Sequence, residues 1–520
     1  MTFFDREEKQ FLQFCKDNLR DASADESRTE ILVDLFPSTS SIVVFRHFLP
    51  ILSQKLGARL VGFSTEYGPR AFLRRWTSLK KIKRIYSGLG VKDSVVVRNF
   101  SHTASEQARA KTQEFRDSKP TKESLLRLQA ESITIGDLVY DSYLRDYFLP
   151  TVDFDDNAFW EKLEFGFKVL YFWLEYLNTH DVRALVVSHE VYIQYGIVAR
   201  LIMALKRSVY IAGDMALHRL DEARFLCSFH YVDYRSKFAN LSDRDKAAAI
   251  SESRDKLERR LSGDSNEKII YADKMAYGNV VHSARVLRES GKFKVLIATH
   301  CFMDNPHGYR WMVFPDFWEW LEFLGQKSEE LDYDFYLKTH IDVLKENLPI
   351  IEKIVAKYPR ITWIPSTTTH NQLLAEGIDA ALTVHGSIAY EYAYLGKTVL
   401  CAGDGPHEPY SFAYLARSKE EYTDHLKRLP ELSPLNAKQQ ILEFYYMHYV
   451  FHSVPNWFFN KFDEYLGRIG GYGARHGSSV YKYYIDAIGS RKNEIERVER
   501  VISNFLESGC YYLDQSMFES

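Results

Sequence analysis

The sequence predicts a mixed α/β protein made of two doubly wound halves, with helical insertions in the first and a helical tail after the second. Three observations predict it. Short runs rich in Val, Ile and Leu recur along the chain and end in polar residues or glycine, the signature of buried parallel strands. Helical segments separate them at the spacing of strand–helix–strand units. The chain has 520 residues, too many for one ordinary core, so two domains are expected.

In order, residues 1–27 read as a charged amphipathic helix without the basic start and apolar centre of a signal peptide. TEILVDLF (29–36) reads as a strand ending at Pro37, 40–56 as a helix stopping at Gly57, and ARLVGFS (58–64) as the next strand. Residues 103–130 are polar and helical, and 133–150 are turn-rich and aromatic. The helix over 156–179 is too apolar for a solvated surface. RALVVSHE (183–190) and SVYIAGD (208–214) are strands flanking a helix over 196–206. Residues 240–268 read as an exposed charged helix, and a boundary is placed near 275–292. A second series of strands follows at 294–300, 334–340, 361–365, 380–386 and 398–403. The expected domains are 1–285, 286–435 and a helical, aromatic tail over 436–520.

Composition narrows the function. A formal net charge of −3 gives no bulk attraction to nucleic acid or to an anionic membrane. No apolar stretch approaches the ~20 residues of a membrane span. Cys15, Cys227, Cys301, Cys401 and Cys510 are odd in number and scattered, without C-x-x-C. That argues for a reducing, cytoplasmic setting and against a disulfide frame or a zinc site. The chain has no G-x-G-x-x-G, G-x-x-x-x-G-K-[ST] or H-E-x-x-H, so dinucleotide oxidoreductases, P-loop NTPases and zincins lose support. Asp332-Tyr333-Asp334 has the D-x-D spacing of a metal site but opens a strand, at the wrong end of the sheet. GGYGARHGSS (470–479) reads as a flexible loop without assigned chemistry.

In open parallel sheets, ligands bind beyond the carboxyl ends of the strands. The strands of the second half deliver His300 with Asn305 and His307, Lys338-Thr339-His340, Ser366, His385-Gly386-Ser387, and Gly403 to His407. His385-Gly386-Ser387 opens a helix ending at Gly396. A bare glycine, a hydroxyl, an imidazole cation and unpaired helix N–H groups form an anion cradle. Glu391, one turn further along the same face, suits a ribose diol. Lys338 and His340 alternate along a strand end and so share a face, one to offset charge on a leaving phosphate and the other to donate a proton. In the first half Asp137, Asp141, Glu190 and Asp214 are candidate bases, with Glu190 preferred for its place at the end of an apolar strand.

KVLIATHCFMDNPHGYRWMVFPDFWEWLEFLG, DYDFYLKTH and TVHGSIAYEYAYLGKTVL, together with ITIGDLVYDSYLR in the first half, resemble the bacterial capsule and lipopolysaccharide biosynthesis proteins related to Kdo transferases and other GT-B glycosyltransferases. The resemblance covers roughly residues 130–420. It implies two Rossmann-like domains (GT-B) across a cleft, with C-terminal helices packing back on the first and the nucleotide sugar on the second. It implies metal-independent glycosyl transfer from a CMP-sugar such as CMP-Kdo, or a UDP- or GDP-sugar, onto a glycan or glycolipid acceptor. His340 matches the His-Pro station of CMP-sugar enzymes and Ser387 their later serine, while Ile341 stands where those enzymes usually carry proline. The expected site is therefore catalytic His340 and Glu190; nucleotide-binding Lys338, Thr339, Ser366, His385, Gly386, Ser387 and Glu391; and a donor loop with His300, Asn305 and His307. No metal or cofactor and no nucleic acid is expected. Contact with the inner membrane or with other assembly proteins stays open, as do an epimerase, a non-sugar phosphoryl transferase and a non-catalytic subunit.

Overall fold

The computed structural model describes residues 4–18, 27–65, 79–267, 274–278 and 284–518. The chain divides into two compact units, the first formed by residues 1–142, 154–227 and 452–520 and the second by 143–153 and 228–451. The expected first helix appears as Arg6–Asp17; residues 1–3 and 19–26 of that expectation, and 279–283 of the expected boundary, lie outside the described residues.

The first unit holds β1 (Thr29–Asp34), β2 (Arg59–Thr65), β3 (Asp93–Val97), a small antiparallel pair β4 (Gln129–Ala130) and β5 (Ile133–Thr134), then β6 (Asp181–Val187), β7 (Ser208–Ala212) and β8 (Leu217–Leu220). Its main sheet runs β3-β2-β1-β6-β7-β8, parallel except for β8, which returns antiparallel along β7. β1 is buried from Glu30 to Asp34. A strand covered on both faces reads as a continuous apolar run rather than an alternating one. Helix Thr39–Leu56 ends at Gly57, whose φ of 58° suits the left-handed stop. Helix Asn157–Thr179 starts where Asp156 accepts the Ala158 N–H at 2.9 Å. It buries Phe159, Leu163, Phe167, Leu170 and Trp173 along one face.

The C-terminal segment completes this unit. Leu513 N–H donates to the Leu217 carbonyl at 2.9 Å, extending the edge at β8. GGYGARHGSS is not a flexible loop: it carries Arg475, which donates to Asp214 beyond β7, from Nε at 3.0 Å and also from Nη2. Asp214 is fully buried, and the Tyr465 hydroxyl also donates to it at 3.2 Å.

The second unit holds β9 (Phe293–Ala298), β10 (Tyr333–Lys338), β11 (Ile361–Trp363), β12 (Ala380–Thr383), β13 (Thr398–Cys401) and β14 (Tyr414–Leu415). The order is β11-β10-β9-β12-β13-β14, parallel throughout. The division falls at 227/228 rather than at 285/286. Helix Asp243–Ser262 belongs to the second unit because its inner face, with Ala249, Ser253, Leu257, Arg260 and Leu261, is buried there. The expectation of a solvated helix holds for its outer face alone. Likewise the tail divides at 451/452, not at 435/436. Among the described residues no helix is long and apolar enough to cross a membrane.

Removing one partner of a buried ion pair strands the other charge. Arg475→Met is therefore expected to destabilise the first unit by about 3–5 kcal/mol, and Asp214→Asn in the same chain to recover part of the loss. Denaturant midpoints of Arg475→Met, Asp214→Asn and the double variant check this, and additive losses would contradict it.

Candidate functional site

The strand order of each sheet turns once, between the parallel neighbours β1 and β6 in the first unit and β9 and β12 in the second. Connections leaving such a pair go to opposite faces, so a crevice opens at their carboxyl ends. In the second unit β9 delivers His300 to that crevice and β12 delivers His385; the ring centroids lie 4.4 Å apart. His300 stacks on Phe317 at 4.7 Å and His385 lies 4.6 Å from the Tyr309 ring.

These imidazoles are not cations. Burial pulls His300 down to about 3, with a smaller contribution from the positive field of His340. Burial, aided by His300 and His407, holds His385 well below the ordinary histidine range. That corrects the expectation of a charged His385. His300 Nε2 accepts the Val384 N–H at 3.1 Å and has the Thr383 hydroxyl at 3.1 Å, so this ring braces the turn after β12. Gly386 is explained the same way. Its N–H donates to Thr383 Oγ1 at 3.1 Å, and an added Cβ would stand 2.8 Å from that oxygen. The glycine answers to Thr383, not to a ligand. Ser387 begins the seven-residue helix Ile388–Tyr394 without a side-chain capping bond, so its half-buried hydroxyl is not taken by the cap.

Lys338, the last residue of β10, is 4% exposed. Its Nζ lies 3.2 Å from the Ser366 carbonyl and 3.5 Å from that of Thr339, and among the described residues no carboxylate comes within ion-pair distance. Ser366 thus contributes its backbone oxygen. The buried hydroxyls of Thr339 and Thr368, following β10 and β11, have no hydrogen-bond partner in the described structure, and neither has His385 Nδ1. Burial lowers Lys338 to about 8, against a raising influence from Glu391.

His340 does not share a face with Lys338 as alternation suggested, because β10 stops at Lys338. Lys338 is buried and His340 exposed. His340 Nδ1 accepts the Asp342 N–H at 3.1 Å, which leaves the ring proton on Nε2. The electrostatics still tie them together: Lys338, Glu391 and Arg260 each act on His340.

Glu391 is not open to a ribose. Arg260 donates to its Oε1 from Nε at 3.0 Å and Nη2 at 2.7 Å, and the Tyr277 hydroxyl donates to Oε2 at 3.1 Å. Arg260 and Tyr277 escaped the sequence reading because one sits in a highly charged helix and the other outside any regular element. The donor loop also differs from expectation. His307 Nε2 donates to the Pro315 carbonyl at 2.7 Å and so holds the loop closed. Asn305 takes a positive φ of 50° and buries Oδ1 without a partner in the described structure. Asp404, delivered by β13, is consumed by Arg310 (2.8 Å to Oδ2) and by the Tyr231 hydroxyl.

In the first unit β6 ends at Val187, so Glu190 lies past the strand. It is buried, 6% exposed, and its carbonyl backs onto Gly196, where a Cβ would come within 2.7 Å of it. Asp137 is held by Arg200 at 2.5 and 2.6 Å, Asp214 by Arg475, and Asp141 is buried. Asp332 pairs with Lys292 at the amino end of β10, away from the site, as its place in the strand implied.

No protein-family model and no curated protein matches the chain. Solved structures similar to it include KpsC, a beta Kdo 2,4 transferase of Thermosulfurimonas dismutans, at 11% identity over 51% of this chain and 79% of that one, with a TM-score of 0.31. A glycosyltransferase from Rickettsia africae is 11% identical over 81% of this chain and 96% of its own, TM-score 0.22. MnaA of S. aureus, solved with UDP, is 12% identical over 88% and 97%, TM-score 0.23. These scores are too low for an activity to pass from any of them to this chain.

The buried lysine makes a proton-linked prediction. Above about pH 8 the folded chain releases the Lys338 proton while the unfolded chain keeps it up to about pH 10.5, so this group's contribution to stability rises across that window. A bound anion favours the ammonium and reverses the preference. Affinity for pyrophosphate is expected to fall above pH 8, by up to about tenfold per pH unit, with uptake of close to one proton. Calorimetric titration in two buffers of different ionisation enthalpy measures the uptake. Lys338→Met should abolish it; equal affinity at pH 7 and 9.5 would contradict the assignment.

Proposed function

We propose that the chain is a glycosyltransferase that moves a sugar from a nucleotide donor onto a bacterial surface glycan or glycolipid. The observation that carries this reading is the Lys338 ammonium: buried at the carboxyl edge of β10, beside the reversal point of its sheet, with carbonyl contacts and no carboxylate at ion-pair distance among the described residues. A buried cation without a counter-ion is costly, and an anion arriving from solvent removes that cost. The unpartnered hydroxyls of Thr339 and Thr368 and Nδ1 of His385 add polar groups that want partners in the same unit.

A sugar nucleotide presents such an anion where its C–O bond to phosphate breaks. Lys338 offsets the charge that develops on the leaving phosphate, and His340, with its proton on Nε2, donates to it. His300, Phe317 and Tyr309 form an apolar, aromatic side to the crevice around His385. With the charge offset by an ammonium, transfer is expected to survive EDTA. The sequence resemblance to capsule and lipopolysaccharide enzymes supports a surface glycan as the acceptor class.

Thermal unfolding with CMP, UDP, GDP and CDP tests the reading. One of them should raise the midpoint, since a ligand at a hundredfold excess over its Kd stabilises by about 2.7 kcal/mol. No shift with any of the four removes the proposal. With the matching sugar nucleotide, His340→Ala should lower turnover about 10²–10⁴-fold while the unliganded midpoint is kept. Turnover of the donor without acceptor would mark an epimerase instead.

A further inference from the structure

The carboxyl edge of the second unit's sheet carries more than the anion site at Lys338. The neighbouring strands β11, β10, β9, β12 and β13 are each followed by a buried side-chain atom without a hydrogen-bond partner in the described structure. These are Oγ1 of Thr368, Oγ1 of Thr339, Oδ1 of Asn305, Nδ1 of His385 and Nε2 of His407. Protein interiors satisfy nearly all such atoms, so one after every strand calls for a partner from outside the chain. The row is also longer than one phosphate. Lys338 stands on β10, with Thr339 and Thr368 on its side of the sheet, whereas β12 and β13 lie two and three strands away, about 10 and 14 Å at the usual strand spacing. The two imidazoles at that far end flank one glycine. A Cβ added to Gly405 would stand 3.0 Å from Cε1 of His407 and 3.1 Å from Cβ of His385.

We infer that His385 and His407 form a subsite for a neutral, hydroxyl-bearing ring joined to the phosphate at Lys338. This rests on the transferase reading above and gives the donor a direction along the edge, phosphate over β10 and β11, ring over β12 and β13. His407 is buried, and its ring lies 6.0 Å from that of Phe412. The rings of Tyr309 and Phe317, at 4.6 and 5.4 Å, give the His385 side apolar walls. Burial pulls His407 down to about 4, against the raising influence of Asp404 and Glu408, and holds His385 well below the ordinary histidine range. Those two carboxylates are spent elsewhere, Asp404 on Arg310 and Tyr231, Glu408 on Arg310 and Arg417. A neutral imidazole offers one N–H and one lone pair. That suits a hydroxyl, which both donates and accepts, and offers an anion no charge to meet. Two rings of a sugar nucleotide have this chemistry, the transferred sugar and the ribose, and titration separates them.

The test is calorimetric titration of the full chain with pyrophosphate, glucose 1-phosphate, CMP, UDP, GDP and CDP. His385→Phe and His407→Phe keep a planar ring and remove its nitrogens, His407→Leu does so without filling the space at Gly405, and His407→Asn keeps a donor and an acceptor. The Phe and Leu variants should weaken the ring-bearing ligands that bind the parent by about tenfold, with pyrophosphate held within about twofold. His407→Asn should recover part of the loss. A loss seen with glucose 1-phosphate assigns the ring to the sugar, and one seen only with nucleotides assigns it to the ribose. His407 gives up no partner, so His407→Phe or His407→Leu should keep the unliganded thermal midpoint; a fall with both makes it a packing residue and overturns the subsite. Unchanged affinity for every ring-bearing ligand overturns it too, as does an equal loss for pyrophosphate, while the anion site stands. Failure of pyrophosphate and all four nucleotides to bind the parent overturns the anion site and the subsite together.

Discussion

The pair between Arg260 and Glu391 is the constraint on which the second unit depends. Two donors of one guanidinium converge on a single carboxylate oxygen, both side chains are buried, and Tyr277 satisfies the other oxygen. Neither charge would remain inside without the other. The pair ties helix Asp243–Ser262 to the short helix after β12, which is why a segment that reads as solvated belongs to the core of this unit. It also settles the charge balance nearby. With Glu391 engaged by Arg260, Lys338 feels it through the longer-range field rather than through a contact.

Desolvation then acts on the remaining titratable groups with unequal results. It drives His300, His370 and His385 to the neutral form, because imidazole loses its proton near neutrality and little burial suffices. The same penalty on a lysine, starting from a far higher value, leaves Lys338 titrating near 8. A rim that looks richly cationic in sequence is therefore a neutral, hydrogen-bonding surface with one buried ammonium at β10. The rings on this side do structural service: His300 braces the turn at Val384, His307 closes its loop on Pro315, and His370 meets the Tyr392 hydroxyl at 2.9 Å.

Both units use the same strand order, yet they place different chemistry at the reversal point. The second sets imidazoles beside a buried lysine; the first sets a carboxylate, a serine and an exposed imidazole in a line. An anion suits the former.

The sequence by itself determined the central strands of both sheets, because parallel strands covered on both faces must be continuous apolar runs; the edge strands β3, β8 and β14 did not stand out in it. Every expected strand of both series is present; most end two or three residues early, while Arg59–Thr65 runs one residue past its expected end. Those shifts carried consequences. A strand ending at Lys338 rather than His340 puts the two on different footings, and one ending at Val187 leaves Glu190 buried past the strand and His189 exposed. Tertiary structure alone decided which polar groups are spent. Arg260 with Glu391, Arg475 with Asp214 and Ser188 with Asp34 are each separated by more than a hundred residues, and no local pattern encodes such a partner. Periodicity reports which face a residue takes; whether its charge survives there depends on what the rest of the chain brings to meet it.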